Sequence, residues 1–361
     1  LDQHSGGDRV TQGTSGMTFS RRKIAIGLKR RGIDHRILKG VFVLAITIPA
    51  LSGRASGDEA DGRLEPLDHW PAAASSSSSS RALSAKPSVI LVPGMLAGER
   101  SMIALRKRLS DSVIPAAIYR YDSAIGVERA AVGLAQSLID HTQRQPDLKL
   151  VMVTHSMGGL VARRVLESPQ WKVDKVRRLI MVAPPNAGSS IASLDAQELH
   201  RTLSGFTGER GRSFIGDGEL KLLDEFVGQF LGSAKEDLRP GSEVLRQLQQ
   251  LQRNPEVRYS IIAGSGGPVP QWVRSLGQVF VAKQLFERPA QAEQIKRVYD
   301  LANRDEWING LGDGVVTTQS TRLPGVTDHQ ELEFGHNDIT FASESAETRK
   351  LVEAIMTRLE K

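Results

Sequence analysis

The sequence predicts an α/β protein, a mostly parallel sheet with helices on both faces, spanning residues 87–361. Three observations predict it. From Pro87 onward, short continuous apolar runs alternate with helical patterns, as strands buried on both faces do when helices connect them. One junction, from Leu150 to Leu160, reads as a strand, a sharp turn and a helix. The residues ahead of Pro87 have the composition of a leader and a linker.

Ser88 to Val92 is the first strand, and Ser101 to Leu109 a helix after it. Ala116 to Tyr121 is the second strand, followed by a long helical pattern from Val127 to Thr142. Leu148 to Val153, Val176 to Val182 and Val257 to Ala263 are the next three strands. Glu331 to Phe334 is a late strand, and Ala346 to Leu359 closes the chain as an amphipathic helix. Two stretches, 190–256 and 266–312, break the alternation and read as helical cap or lid insertions. Within the first, Leu220, Leu223, Phe226, Val227, Phe230 and Leu231 recur at helical spacing. That apolar stripe needs a partner, either the sheet's own helices or the mouth of a cleft.

At 361 residues with 40% apolar composition, the chain can bury a substantial core. Its net charge of +6 sits at one end: residues 1–50 hold nine Lys/Arg and three Asp, and the remainder balances at 38 against 38. The body of the chain therefore lacks the footprint of a nucleic-acid binder. In residues 1–55, the basic run from Arg21 to Lys39 precedes the uncharged apolar run Val41–Leu51, and Ser52, Gly53 and Ala55 follow. This is the layout of a secretory signal, too short to span a bilayer comfortably, with Met17 expected as the start. It implies export to the periplasm or the medium, or anchorage through an uncleaved leader. Residues 56–86, with Ser75 to Ser80 in a row, read as a disordered linker. The chain has no cysteine, so disulfides are silent on compartment.

The stretch Thr154-His155-Ser156-Met157-Gly158-Gly159 carries the chemistry. A serine between strand and helix, followed by small residues, is the context of a nucleophile elbow. Such a turn lifts the hydroxyl above the sheet edge and points a helix N-terminus at the bound group. Thr154 stands where Gly is usual and adds bulk to the turn. A serine hydroxyl needs a base, and the base an orienting acid. His336 follows the end of the last strand, on the elbow's face, whereas His329 begins that strand. His155 adjoins the serine and is expected to point elsewhere. Asp313, between Gly312 and Gly314, is the best acid, with Asp305 and Asp338 as alternatives.

The order Ser156, Asp313, His336 is that of the α/β-hydrolases, and the chain resembles that superfamily from about Pro87 to Lys361. It is most similar to bacterial lipases and esterases and to GPI inositol-deacylase-like serine hydrolases. The residues carrying the resemblance are Val92-Pro93-Gly94-Met95, the Ser156 elbow, Ala183-Pro184-Pro185-Asn186-Ala187-Gly188-Ser189, Asp313-Gly314-Val315-Val316 and Gly335-His336-Asn337. The resemblance implies the α/β-hydrolase fold and an oxyanion hole made by the Met95 and Met157 amides. Pro93 replaces the usual His of that loop.

The expected function is an exported serine esterase acting on lipid-like or apolar acyl esters through an acyl-enzyme. It needs no metal or organic cofactor, and its partner is the ester substrate, with room for contact at a membrane or lipid interface. An acyltransferase or amidase would use the same residues, and a non-catalytic binding protein could share the fold.

Overall fold

Five of the apolar runs become central strands of one sheet, because a run apolar at nearly every position can be covered on both sides. The computed structural model describes residues 63–64, 87–95, 100–145, 148–195, 232–287, 292–336, 338 and 345–360. Among them the elements in chain order are β1 (Arg63–Leu64), β2 (Ser88–Val92), α1 (Arg100–Asp111), β3 (Ala116–Arg120), α2 (Val127–Arg144), β4 (Leu150–His155), α3 (Met157–Glu167) and β5 (Val176–Val182). Then come α4 (Gly232–Asp237), α5 (Glu243–Gln250), β6 (Arg258–Gly264), α6 (Gln271–Glu287), α7 (Ala292–Ala302), β7 (His329–Leu332) and α8 (Ala346–Leu359).

The strands lie in the order β1-β3-β2-β4-β5-β6-β7. All pairs from β3 to β7 are parallel. Only β1 runs antiparallel, on the outer edge of β3. With helices on both faces, this is the α/β-hydrolase fold. Side chains alternate along each strand. Ile90, Val92, Met152, Leu179 and Met181 pack with Leu134 and Leu138 of α2, Leu160 of α3 and Leu248 of α5. Val89, Leu91, Val151, Val153 and Ile180 face the other way, against Leu105 of α1 and Leu351 and Ile355 of α8.

Two expectations change. The folded unit reaches back into the stretch read as linker: Arg63 pairs with Arg120 and Leu64 with Tyr119. A two-residue pairing has no periodicity to read, so sequence alone could not reveal it. The last strand begins at His329, two residues before Glu331, with His329 opposite Ile261. Polar edge positions there hide the register. The amphipathic stripe at 220–231 lies outside the described residues, as does the leader at 1–55. Within 190–256 the described part is helical, and Leu245 and Leu248 of α5 are core. Within 266–312, α6 and α7 are joined to a 3₁₀ turn at Asp305–Trp307, and a single bridge links Val269 with Ile308.

The chain leaves β2 for β3 on one side and returns to β4 on the other, so the order of connection reverses between β2 and β4. In sheets of this kind ligands sit beyond the strand ends at that reversal. Here Val92 pairs with Thr154, which brings the residues after β2 beside those after β4. Helix α3 crosses this junction at backbone contact. A Cβ on Gly158 would lie 2.5 Å from the Val92 carbonyl oxygen and 2.6 Å from that of Pro93. Because backbone, unlike a side-chain tip, cannot step aside, Gly158→Ala is expected to destabilise the protein by about 3 kcal/mol or more. Urea unfolding against the wild type measures it.

Candidate active site

Ser156 joins β4 to α3 with φ 50° and ψ −128°, a conformation non-glycine residues seldom adopt. Such a residue costs about 1–3 kcal/mol and persists only when its surroundings hold it. Here the Ser156 N–H donates to Val182 O at 2.9 Å, and Ser156 O accepts from Gly159 N at 2.9 Å. Thr154 fits because its neighbour gives room: a Cβ on Gly159 would lie 3.4 Å from Thr154 Oγ1. The threonine's bulk is thus absorbed by the second glycine of the elbow.

The structure brings Ser156, His336 and Asp313 together. His336 Nδ1 lies 2.8 Å from Asp313 Oδ2, and His336 Nε2 lies 3.0 Å from Ser156 Oγ. All three residues are buried. An ionised carboxylate can only accept, so Nδ1 carries the proton and Nε2 offers its lone pair to the serine hydroxyl. Asp313 Oδ1 is also held: it accepts from the amides of Val315 at 3.0 Å and Val316 at 2.8 Å. The backbone N–H of His336 donates to Asp313 O at 2.7 Å, joining the two residues through the backbone as well.

The alternatives have other partners. His329 Nε2 lies 2.9 Å from Thr321 Oγ1, at the start of β7, three strands across the sheet from β4. Asp305 pairs with Arg274 at 2.8 Å. Asp338 Oδ2 accepts from Gly335 N at 2.8 Å and so shapes the turn that presents His336.

The loop after β2 lies against Ser156: a Cβ on Gly94 would be 2.8 Å from that of the serine. Two residues that the sequence reading missed hold this loop. Tyr121 Oη donates to Pro93 O at 2.8 Å, and Ser123 Oγ donates to Met95 O at 2.9 Å. Burial pushes the Tyr121 phenol well above its ordinary range, so it stays a donor. The only sequence signal was a tyrosine at the end of the neighbouring strand. Met157 opens α3, where the N–H has no intrahelical partner. Among the described residues, no group of His, Cys, Asp and Glu is arranged to hold a metal.

His155 does not point away from the site. Its ring centroid lies 4.7 Å from that of His336 at an interplanar angle of 46°. Its two ring nitrogens are buried without a hydrogen bond of normal geometry, and the backbone of His336 is the polar group facing them. Burial, and then the neighbouring His336, hold its pKa well below the ordinary 6.5, so it stays neutral.

The pattern of the family described as "Domain of unknown function (DUF7379)" matches residues 63–295, beginning at β1. A search of curated proteins finds no match. Among solved structures, the chain is similar to the mature Bacillus licheniformis lipase BlEst2, with 17% identity and a TM-score of 0.51, over 84% of this chain and 99% of that one. The propeptide form of that lipase gives 18% identity and a TM-score of 0.51, over 84% of this chain and 54% of that one. At these identities the likeness shows the fold, that of lipases and esterases.

His155 gives a pH test. Its folded pKa is depressed, so below about 6.5 the unfolded chain binds a proton that the native chain refuses. The stability this leaves in place above that pH is lost as pH falls. Relative to wild type, His155→Phe should remove up to about 1.4 kcal/mol per pH unit of that decline below pH 6.5. Urea unfolding between pH 5 and 8 reads the difference, and His141 and His329, whose pKa values are also lowered, cancel in it.

Proposed function

The chain belongs to the DUF7379 family, on an α/β-hydrolase fold, and on that premise we propose that it is a serine hydrolase cleaving carboxylic esters through an acyl-enzyme. One observation carries the reading: the hydrogen-bonded chain Ser156–His336–Asp313, at 3.0 and 2.8 Å, on a strained turn. As Ser156 Oγ adds to the ester carbonyl, its proton passes to His336 Nε2. Asp313 Oδ2 stabilises the imidazolium through Nδ1–H. The Met95 and Met157 amides are assigned to the developing oxyanion. Collapse expels the alcohol, which takes the proton from Nε2, and water then attacks the acyl-enzyme by the same route.

The preference for apolar acyl groups is a further part of the proposal. Helix α6 leaves the sheet just beyond β6, on the side where Ser156 lies, and Trp272 and Phe286 on it are 62% and 89% exposed. Export is proposed from the basic run, the apolar run Val41–Leu51 and the small residues after it. N-terminal sequencing of the expressed protein tests this last point. A new N-terminus beyond Leu51 outside the cytoplasm supports it, and an intact soluble cytoplasmic chain refutes it.

The activity is tested on p-nitrophenyl esters of increasing acyl length, beside labelling with a fluorophosphonate probe. Ser156→Ala and His336→Ala should each lower kcat by about 10³-fold or more while the protein stays folded, and Asp313→Asn by a similar order through the wrong imidazole tautomer. His329→Ala should stay near wild type. Folded wild type that neither turns over esters nor labels would make the chain a binding protein. Labelling at Ser156 without ester turnover would point to amides or to acyl transfer. Indifference to acyl length would remove the apolar-substrate reading.

A further inference from the structure

The segment Ala183 to Ser189 is conspicuous in the sequence, yet it supplies none of the proposed reacting groups. Several of its bonds run to the acid's loop. The Asn186 side chain donates through Nδ2 to Thr321 O at 2.7 Å, and the Ala187 N–H donates to Ser320 O at 3.0 Å. Ser320 Oγ donates to Gly188 O. Asn186 Oδ1 in turn accepts from Arg163 Nη1 at 3.1 Å, and Arg163 is paired with Glu167 at 2.9 Å in the buried face of α3. The loop carrying Asp313 is therefore tied, through 183–189, to the helix that begins at the nucleophile.

One of these bonds reaches further. Ser189 Oγ donates to Val315 O at 2.5 Å and accepts from Ile191 N at 3.2 Å, in a residue 1% exposed. The Val315 carbonyl and the Val316 N–H belong to one peptide plane. Its N–H is the donor at 2.8 Å to Asp313 Oδ1. A hydroxyl on one side of a rigid plane and the carboxylate on the other form a short relay. Fixing the carbonyl end fixes the direction of the N–H, and accepting a hydrogen bond at the oxygen polarises the amide. We propose that Ser189 is a positioning residue for the acid: it sets the Val315–Val316 peptide plane, which holds Asp313 Oδ1 so that Oδ2 meets His336.

This rests on the Ser–His–Asp reading, and a double-mutant cycle separates the two. In the full chain, Ser189→Ala should lower kcat for p-nitrophenyl butyrate about tenfold with KM changed less than about twofold. With Asn at 313, orienting that side chain no longer selects the productive tautomer. Ser189→Ala should then cost less than about twofold beyond Asp313→Asn alone. Ser189→Thr, which keeps the hydroxyl, should recover most of the lost kcat. If alanine lowers the folded yield, Ser189→Cys, close in size but a weak donor, carries the same comparison. A tenfold loss that persists in the Asp313→Asn background, a loss confined to KM, or a lowered melting temperature with kcat unchanged would each overturn the role. If Ser156→Ala or Asp313→Asn turns over like wild type, the triad reading itself fails, whatever Ser189 does.

Discussion

The backbone at Ser156 governs the arrangement of the whole site. A residue at φ 50° in a sharp strand-to-helix turn is stable only if strand and helix are clamped on either side. Hydrogen bonds to β5 and within the first turn of α3 hold it, and the helix lies so close to β2 that position 158 has no space for a side chain. The same closeness brings the loop after β2 against Ser156. Compact crossing, strained serine and adjacent amides are therefore one constraint seen from three sides.

The polar groups gathered above this junction are buried, and such groups are costly unless paired. Asp313 meets that condition with two backbone amides on one oxygen and the imidazole on the other. A carboxylate so enclosed has little freedom to turn, which is what an orienting acid needs. His155 is the contrast. It lies beside His336 without a normal hydrogen bond, and burial keeps it uncharged. In the proposed mechanism, an uncharged ring there adds no repulsion against the imidazolium at His336.

How much was legible depends on whether the signal is local. β5 and α8 have the limits the sequence suggests, because a buried apolar run and a capped amphipathic helix both announce themselves. Ser156, Asp313 and His336 could be nominated from chain order and flanking small residues, and they lie within hydrogen-bond distance of one another. β7 was displaced by two residues, since His-Gln-Glu-Leu at a sheet edge carries no buried stripe. Tyr121 and Ser123 went unnoticed because their partners lie 28 residues away, across a strand pairing that spacing alone cannot indicate. His155 was expected to face away, but its ring follows the sharp bend of the elbow toward His336.

The two-residue strand β1 covers the end of the outer margin of β3, at Tyr119 and Arg120. Unpaired N–H and C=O groups along such a margin are a template on which another chain can add. Trimming the protein at residue 87, where the apolar pattern begins, leaves Ser156, His336 and Asp313 in the chain and removes that cover. The liability of such a fragment is self-association into aggregates through β3, remote from the serine. Residues 63 and 64 thus act on the sheet edge and not on the Ser156 site.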